Sequence, residues 1–275
     1  MESIETIWTG AARFNNTASP LLRHLMAKLA REGQNPQALF ITCADSRIDP
    51  SAITGTGPGD LFTMRNIGNL VPICGTSAGS EASPGYVEPS MGAAIAYALE
   101  VLRIPTIIVC GHSECGAMKA IACGDIADAD PHLQIWLSHA AESVRRLDAR
   151  HAPDPTLPRH DQLAQVNAVQ QAENLSAYPV VARALREARV EIHAWYCDLA
   201  RAEVQVYDPH QRKFVRLEEA DMQQSALPAP VAPALGDGQD LRRNNPDSGW
   251  SDFRQETGRI SLGFSSLVKG EERCA

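Results

Sequence analysis

Two short apolar runs constrain this chain more than any other feature. Residues 37–43 (QALFITC) and 106–110 (TIIVC) are continuous in hydrophobicity rather than alternating. Runs of this kind are strands buried on both faces, as in a parallel sheet covered by helices. A further short strand is predicted at 59–64 (GDLFTM), and a helix at 90–103 (SMGAAIAYALEVLR) that Ile104-Pro105 ends. The strand, helix, strand alternation through the first 125 residues predicts an α/β fold, a mainly parallel sheet flanked by helices with right-handed crossovers. Functional residues in such sheets gather at the carboxyl ends of strands. Cys43 and His112 both fall at such ends.

The remaining elements fit this frame. Residues 18–32 form a predicted helix with Ser19-Pro20 as N-cap and first turn and Gly33 as the stop. A short helix is expected over 114–122. Longer helical patterns run over 132–150 and 160–189, with a break near Tyr178-Pro179. Two late strands, 190–196 and 203–208, are expected as a hairpin at the sheet edge. After about residue 225 the composition turns to Pro, Gly, Asn and Asp without periodicity, so residues 221–275 read as an irregular extension to a folded unit at 1–220.

Bulk properties exclude several classes of function. A net charge of −8 offers no basic excess to neutralise phosphates, so no nucleic-acid partner is expected. Arg145, Arg146 and Arg150 read as a solvated helix face. No apolar run reaches the roughly 18 residues of a membrane span. The first residues carry acids and no apolar h-region, which reads as cytoplasmic. Seven scattered cysteines, an odd number, do not form a disulfide framework.

The chemistry lies in three segments: Cys43-Ala44-Asp45-Ser46-Arg47, Arg65-Asn66-Ile67-Gly68-Asn69 and Gly111-His112-Ser113-Glu114-Cys115-Gly116. A Cys or His at a strand end is weak evidence singly. Two thiolates and one imidazole converging from neighbouring strand ends form a set suited to catalytic zinc, which keeps a fourth position open. Asp45 could bind the metal itself or accept a hydrogen bond from water on it. Arg47 can grip that carboxylate bidentately, or the two can be a plain surface ion pair.

Together these segments resemble the β-carbonic anhydrases. DLFTMRNIGNLVP, GAAIAYAL and ENLSAYPVV are similar to that family too, and the likeness runs from about Gly33 to Asp208. The resemblance implies that Cys43, His112 and Cys115 hold one Zn2+. It implies that Asp45 and Arg47 form the catalytic dyad orienting zinc-bound hydroxide for reversible hydration of CO2 to bicarbonate. Gln34, Phe62, Ile67, Gly68 and Tyr97 would line the substrate pocket, shared across a homodimer or higher even-numbered oligomer. Phe40 and Cys197 stand where some members carry an off-site bicarbonate pocket, so an open form is expected. Residues 74–89 are longer than the usual link and could border the pocket mouth. By analogy with carboxysomal members, residues 221–275 would dock on a scaffold protein in a carboxysome-type compartment; the alternative is a dispensable tail or one that wraps its own dimer. Two other functions fit parts of the pattern: hydrolysis of carbonyl sulfide or carbon disulfide on the same fold, and a non-catalytic zinc-stabilised scaffold protein.

Overall fold

The computed structural model describes residues 4–73, 89–126, 129–149, 152–218 and 228–231. Six strands form one sheet: β1 Ala38–Cys43, β2 Leu61–Asn66, β3 Thr106–His112, β4 Glu191–Asp198, β5 Glu203–Asp208 and β6 Lys213–Arg216. Their order is β2-β1-β3-β4-β5-β6. β2, β1, β3 and β4 are parallel, and β5 and β6 add antiparallel to one side. Every residue of β1 is buried, as is every residue of β3 after Thr106. That is why both runs are continuously apolar.

The helices are α1 Glu5–Thr17, α2 Pro20–Glu32, α3 Pro50–Thr54, α4 Pro89–Ala96, α5 Gly116–Cys123, α6 Pro131–Leu137, α7 Ala141–Asp148, α8 Arg159–Asn174 and α9 Pro179–Arg186. Leu39, Ile41, Ile107, Val109 and Ile192 form the main core with residues of α4, α8 and α9. Phe40, Ile108 and Cys110 face the other way, with Trp195 and the α3 region. A third cluster, including Leu70, Met118, Leu137, Leu147 and Tyr196, surrounds the ends of β1 and β3.

The topology places a crevice. The chain leaves β1 for β2 on one side and leaves β3 for β4 on the other. The loops after β1 and β3 therefore diverge, and such a switch point is where open α/β sheets hold ligands.

Most predicted elements stand close to their expected bounds. Ser19 Oγ accepts from Leu22 N at 3.1 Å, as an N-cap should. β2 starts at Leu61 rather than 59, because Gly57 N donates to Asp60 Oδ2 at 2.8 Å and closes a turn first. α4 ends in a wide turn over Tyr97–Val101, with Leu102 N donating to Tyr97 O at 3.0 Å. The 132–150 helix is split into α6 and α7 by a tight turn at Ser138–Ala140. The late hairpin is not the sheet edge. β6 covers β5, and its four residues hold only Phe214 and Val215 between charged neighbours, too little for a strand signal. α1 was not anticipated: all of its residues are exposed, so no core-facing stripe marks it, whereas α2 carries the half-buried Leu22, Leu25 and Leu29 at helical spacing. The loop expected to border the pocket lies, except for Pro89, outside the described residues. So does the extension, except for residues 228–231, where Val231 N donates to Ile192 O at 2.7 Å and Val231 packs on the main core.

Candidate metal centre

β1 ends at Cys43, β3 ends at His112, and Cys115 is the N-cap of α5. Their ligand atoms lie within 4.8 Å of one another, and all three residues are buried. The ring of His112 is oriented by its Nδ1, which donates to Ser113 O at 2.8 Å. That leaves Nε2 with a lone pair, and Nε2 has no hydrogen-bond partner among the described residues. An orphaned polar atom at that depth costs about 1–3 kcal/mol, so the site is built for something that accepts the lone pair.

The sulfurs point the same way. A hydrogen bond from Cys115 pulls the Cys43 thiol down to about 4 against the cost of burial, and the N–H groups of Gly68 and Asp45 add to it. The same contact, with burial, pushes Cys115 up. Two adjacent sulfurs driven in opposite directions are a pair that a divalent cation would bind with release of protons. The N–H groups of Ala117 and Met118 at the start of α5 also face the Cys115 sulfur. Two soft thiolates and one imidazole fit zinc, and three protein ligands leave a coordination position open.

Beside this trio stands the dyad. Asp45 Oδ1 accepts from Arg47 N and Nε, both at 2.9 Å, and Oδ2 accepts from Arg47 Nη2 at 2.7 Å. Arg47 Nη2 also donates to Glu114 O at 2.9 Å, which ties the pair to the turn bearing Cys115. The Arg47 guanidinium holds the Asp45 carboxyl well below the usual carboxylate range. Asp45 Oδ2 lies 3.9 Å from His112 Nε2. Arg65 fixes the strand end from below, donating to Cys43 O at 3.1 Å and Asp45 O at 2.6 Å.

A family model described as carbonic anhydrase matches residues 38–204. A carbonic anhydrase of Pseudomonas aeruginosa is 40% identical over 210 residues, covering 76% of this chain and 90% of that one. The chain belongs to the β-class carbonic anhydrases. The solved structure of the β-carbonic anhydrase CcaA superposes with a TM-score of 0.68 at 33% identity, over 78% of this chain and 92% of that one. Crystal structures of two tetrameric β-carbonic anhydrases from Sordaria macrospora include a chain with a TM-score of 0.54 at 29% identity, over 74% of this chain and 92% of that one.

Within one copy of this carbonic anhydrase, the expected pocket residues divide into two groups. Ile67 and Gly68 are at the trio: Gly68 N lies 3.4 Å from Cys43 Sγ, and Ile67 is 44% exposed beside it. Gln34, Phe62 and Tyr97 are elsewhere. Phe62 stacks on Tyr97 with ring centroids 5.8 Å apart, but it pairs with Leu39, whereas Cys43 pairs with Asn66. Four residues of strand separate those levels by about 13 Å. Gln34 is exposed before the start of β1, at the end opposite Cys43.

Several functional neighbours escaped the sequence reading because they are polar residues on helices. Asn167, Gln171 and Asn174 recur at helical spacing on α8 and are buried. They hold the segment after β2: Asn167 Nδ2 donates to Gly68 O at 3.0 Å, Gln171 Oε1 accepts from Val71 N at 2.7 Å, and Asn174 Nδ2 donates to Val71 O at 3.0 Å. Trp136 Nε1 donates to Ile67 O at 2.7 Å. Their spacing of four and three was the available signal. Asp161, also on α8, accepts from Glu114 N at 2.7 Å and steadies the turn between His112 and Cys115, where Glu114 has φ 57°. Glu114, His160 and Asp161 approach closely enough to suggest a second metal group. Glu114 already bonds Lys119, however, and Asp161 is engaged by the Glu114 N–H, so the cluster serves as a brace.

Proposed function

We propose that Cys43, His112 and Cys115 hold one zinc ion, and that CO2 is reversibly hydrated to bicarbonate in front of it. The observation that carries this reading is the buried, unpartnered His112 Nε2, facing two sulfurs, with a pinned carboxylate 3.9 Å away. A bound zinc supplies the Lewis acidity that lets water act as a nucleophile near neutral pH. The chain's own residues do the rest. With Arg47 on both its oxygens, Asp45 stays ionised at working pH and acts as an acceptor only. It can take a hydrogen bond from water beside Nε2 and aim the oxygen lone pair, while Arg47 restrains it from swinging onto the metal. CO2 has no charge to grip, and exposed Ile67 gives it an apolar wall.

The active unit in this reading is an even-numbered oligomer. Gln34, Phe62 and Tyr97 cannot reach the trio of their own chain, so a second copy would present them to it. Exposed Ile7, Trp8 and Leu21 on α1 and α2 support the same view, since short helices with no fully buried side chain are marginal alone.

The test is stopped-flow CO2 hydration on protein assayed for zinc, with Asp45→Asn alongside. Wild type with one zinc per chain should hydrate CO2 rapidly, and the variant should lose about 100-fold or more in kcat, the scale of a positioned proton acceptor. A zinc-loaded wild type without CO2 hydration would sink the reading, and carbonyl sulfide supplied to the same sample separates the related hydrolase activity.

A further inference from the structure

We infer that Trp136 and Asn167 are positioning residues for the metal centre: they lock the peptides on either side of Gly68 so that its N–H stays aimed at Cys43 Sγ. The inference rests on the zinc reading above.

Gly68 has φ 77° and ψ 19°, a left-handed conformation that side chains resist. A trans peptide puts its C=O and N–H on opposite edges of one plane. In the Ile67–Gly68 peptide, the C=O is held by Trp136 Nε1 at 2.7 Å and the N–H lies 3.4 Å from Cys43 Sγ. The next C=O, that of Gly68, is held by Asn167 Nδ2 at 3.0 Å. The Asn167 amide cannot flip, because its Oδ1 accepts from Ser143 Oγ at 2.9 Å and Gln171 Nε2 at 3.0 Å. A side chain at this position is disfavoured as well: a Cβ at Gly68 would sit 3.1 Å from Met118 Cε and 3.3 Å from Ala117 Cβ. Both dihedrals of Gly68 are thus fixed from outside, one by α6 and one by α8.

The chemistry follows from the direction of the bond. An N–H donated to a thiolate draws electron density from the sulfur and weakens what it gives to a metal. Outer groups of this kind set both metal retention and reactivity. Trp136 and Asn167 touch neither metal nor substrate; they act through the Ile67–Gly68–Asn69 backbone.

The test uses the full-length protein in its native assembly. Trp136→Phe removes the indole N–H and keeps the ring; Asn167→Asp keeps the size and removes the donor. Each is prepared with zinc and with cobalt(II) in its place. The readouts are the sulfur-to-cobalt charge-transfer band, the rate of zinc loss to a chelator, and kcat. Trp136→Phe should keep the far-ultraviolet circular dichroism of wild type, shift the band to lower energy as the sulfur becomes more electron-rich, release zinc more slowly as that sulfur holds the metal harder, and lose about 10-fold in kcat. Asn167→Asp should move the same readouts in the same direction; if it does not fold, Trp136→Phe decides. Wild-type band, zinc loss and kcat in Trp136→Phe would overturn the role of Trp136. The same outcome in a folded Asn167→Asp would overturn that of Asn167. Either result, obtained where wild type binds one zinc, leaves the zinc reading standing; a wild type that binds none removes both.

Discussion

Replacing Gly111 with alanine puts a methyl group between β3 and α8, one residue before His112. The new Cβ would sit 3.0 Å from Ala164 O and 3.3 Å from Ala168 Cβ. The first of these is a helix carbonyl, not the end of a flexible side chain, so the helix itself must shift by a few tenths of an ångström. Overpacking of this kind costs about 1–3 kcal/mol. For a chain of this size each kcal/mol lowers Tm by roughly 2–4 °C, so a fall of about 2–12 °C is expected. The assay is differential scanning calorimetry at fixed protein and metal concentration, because the proposed metal and the proposed association of copies would each influence Tm. Gly116→Ala is the matched control. It starts α5, nothing lies within 4 Å of its added Cβ, and its effect should be neutral or stabilising by up to about 1 kcal/mol. An unchanged Tm in Gly111→Ala would refute the claim that α8 approaches β3 at contact distance.

Other outcomes test the site and the chain's borders. After metal removal at about pH 6, iodoacetamide should label Cys43 first, since its thiol is drawn down to about 4 while Cys115 and Cys110 are pushed up. The Cys43 rate should hold steady as pH falls and drop only near and below about 4, where the sulfur takes its proton; mass spectrometry of the labelled peptides reads the order, and equal labelling of Cys43 and Cys115 would contradict it. A chain ending at residue 227 loses the Val231 bond to Ile192 O and its packing, worth about 1–2 kcal/mol, relative to one ending at 231. A melt of the two proteins checks this, and identical midpoints would show that residues 228–231 contribute nothing.

What the sequence made legible was local. Cys43, Asp45 and Arg47 lie within five residues, and His112 and Cys115 within four, so the motifs that carry the family resemblance are short and local. β1 and β3 were legible because burial on both faces leaves their middles, Ala38–Ile41 and Ile107–Cys110, continuously apolar. The amide ladder of α8 was hidden for the opposite reason: Asn167, Gln171 and Asn174 resemble a solvated face, and only the loop they grip reveals that the face is buried. The separation of Gln34, Phe62 and Tyr97 from the trio was equally hidden, because it depends on strand register and not on composition.

The parallel pairing of β1 with β3 has a consequence in time as well as space. Thr42 and Cys110, joined across that pairing, are 68 residues apart in sequence. Closing so long a loop is entropically costly, and distant pairings of this kind are slow to form. Cys43 therefore meets His112 and Cys115 only once the centre of the sheet exists. A nascent or unfolded chain offers an ion the local pair His112 and Cys115 without Cys43, and the complete trio requires the paired sheet. Under the zinc reading, three-ligand capture acts as a check on a correctly assembled sheet, and a chain whose sheet has failed to close cannot offer all three ligands at once.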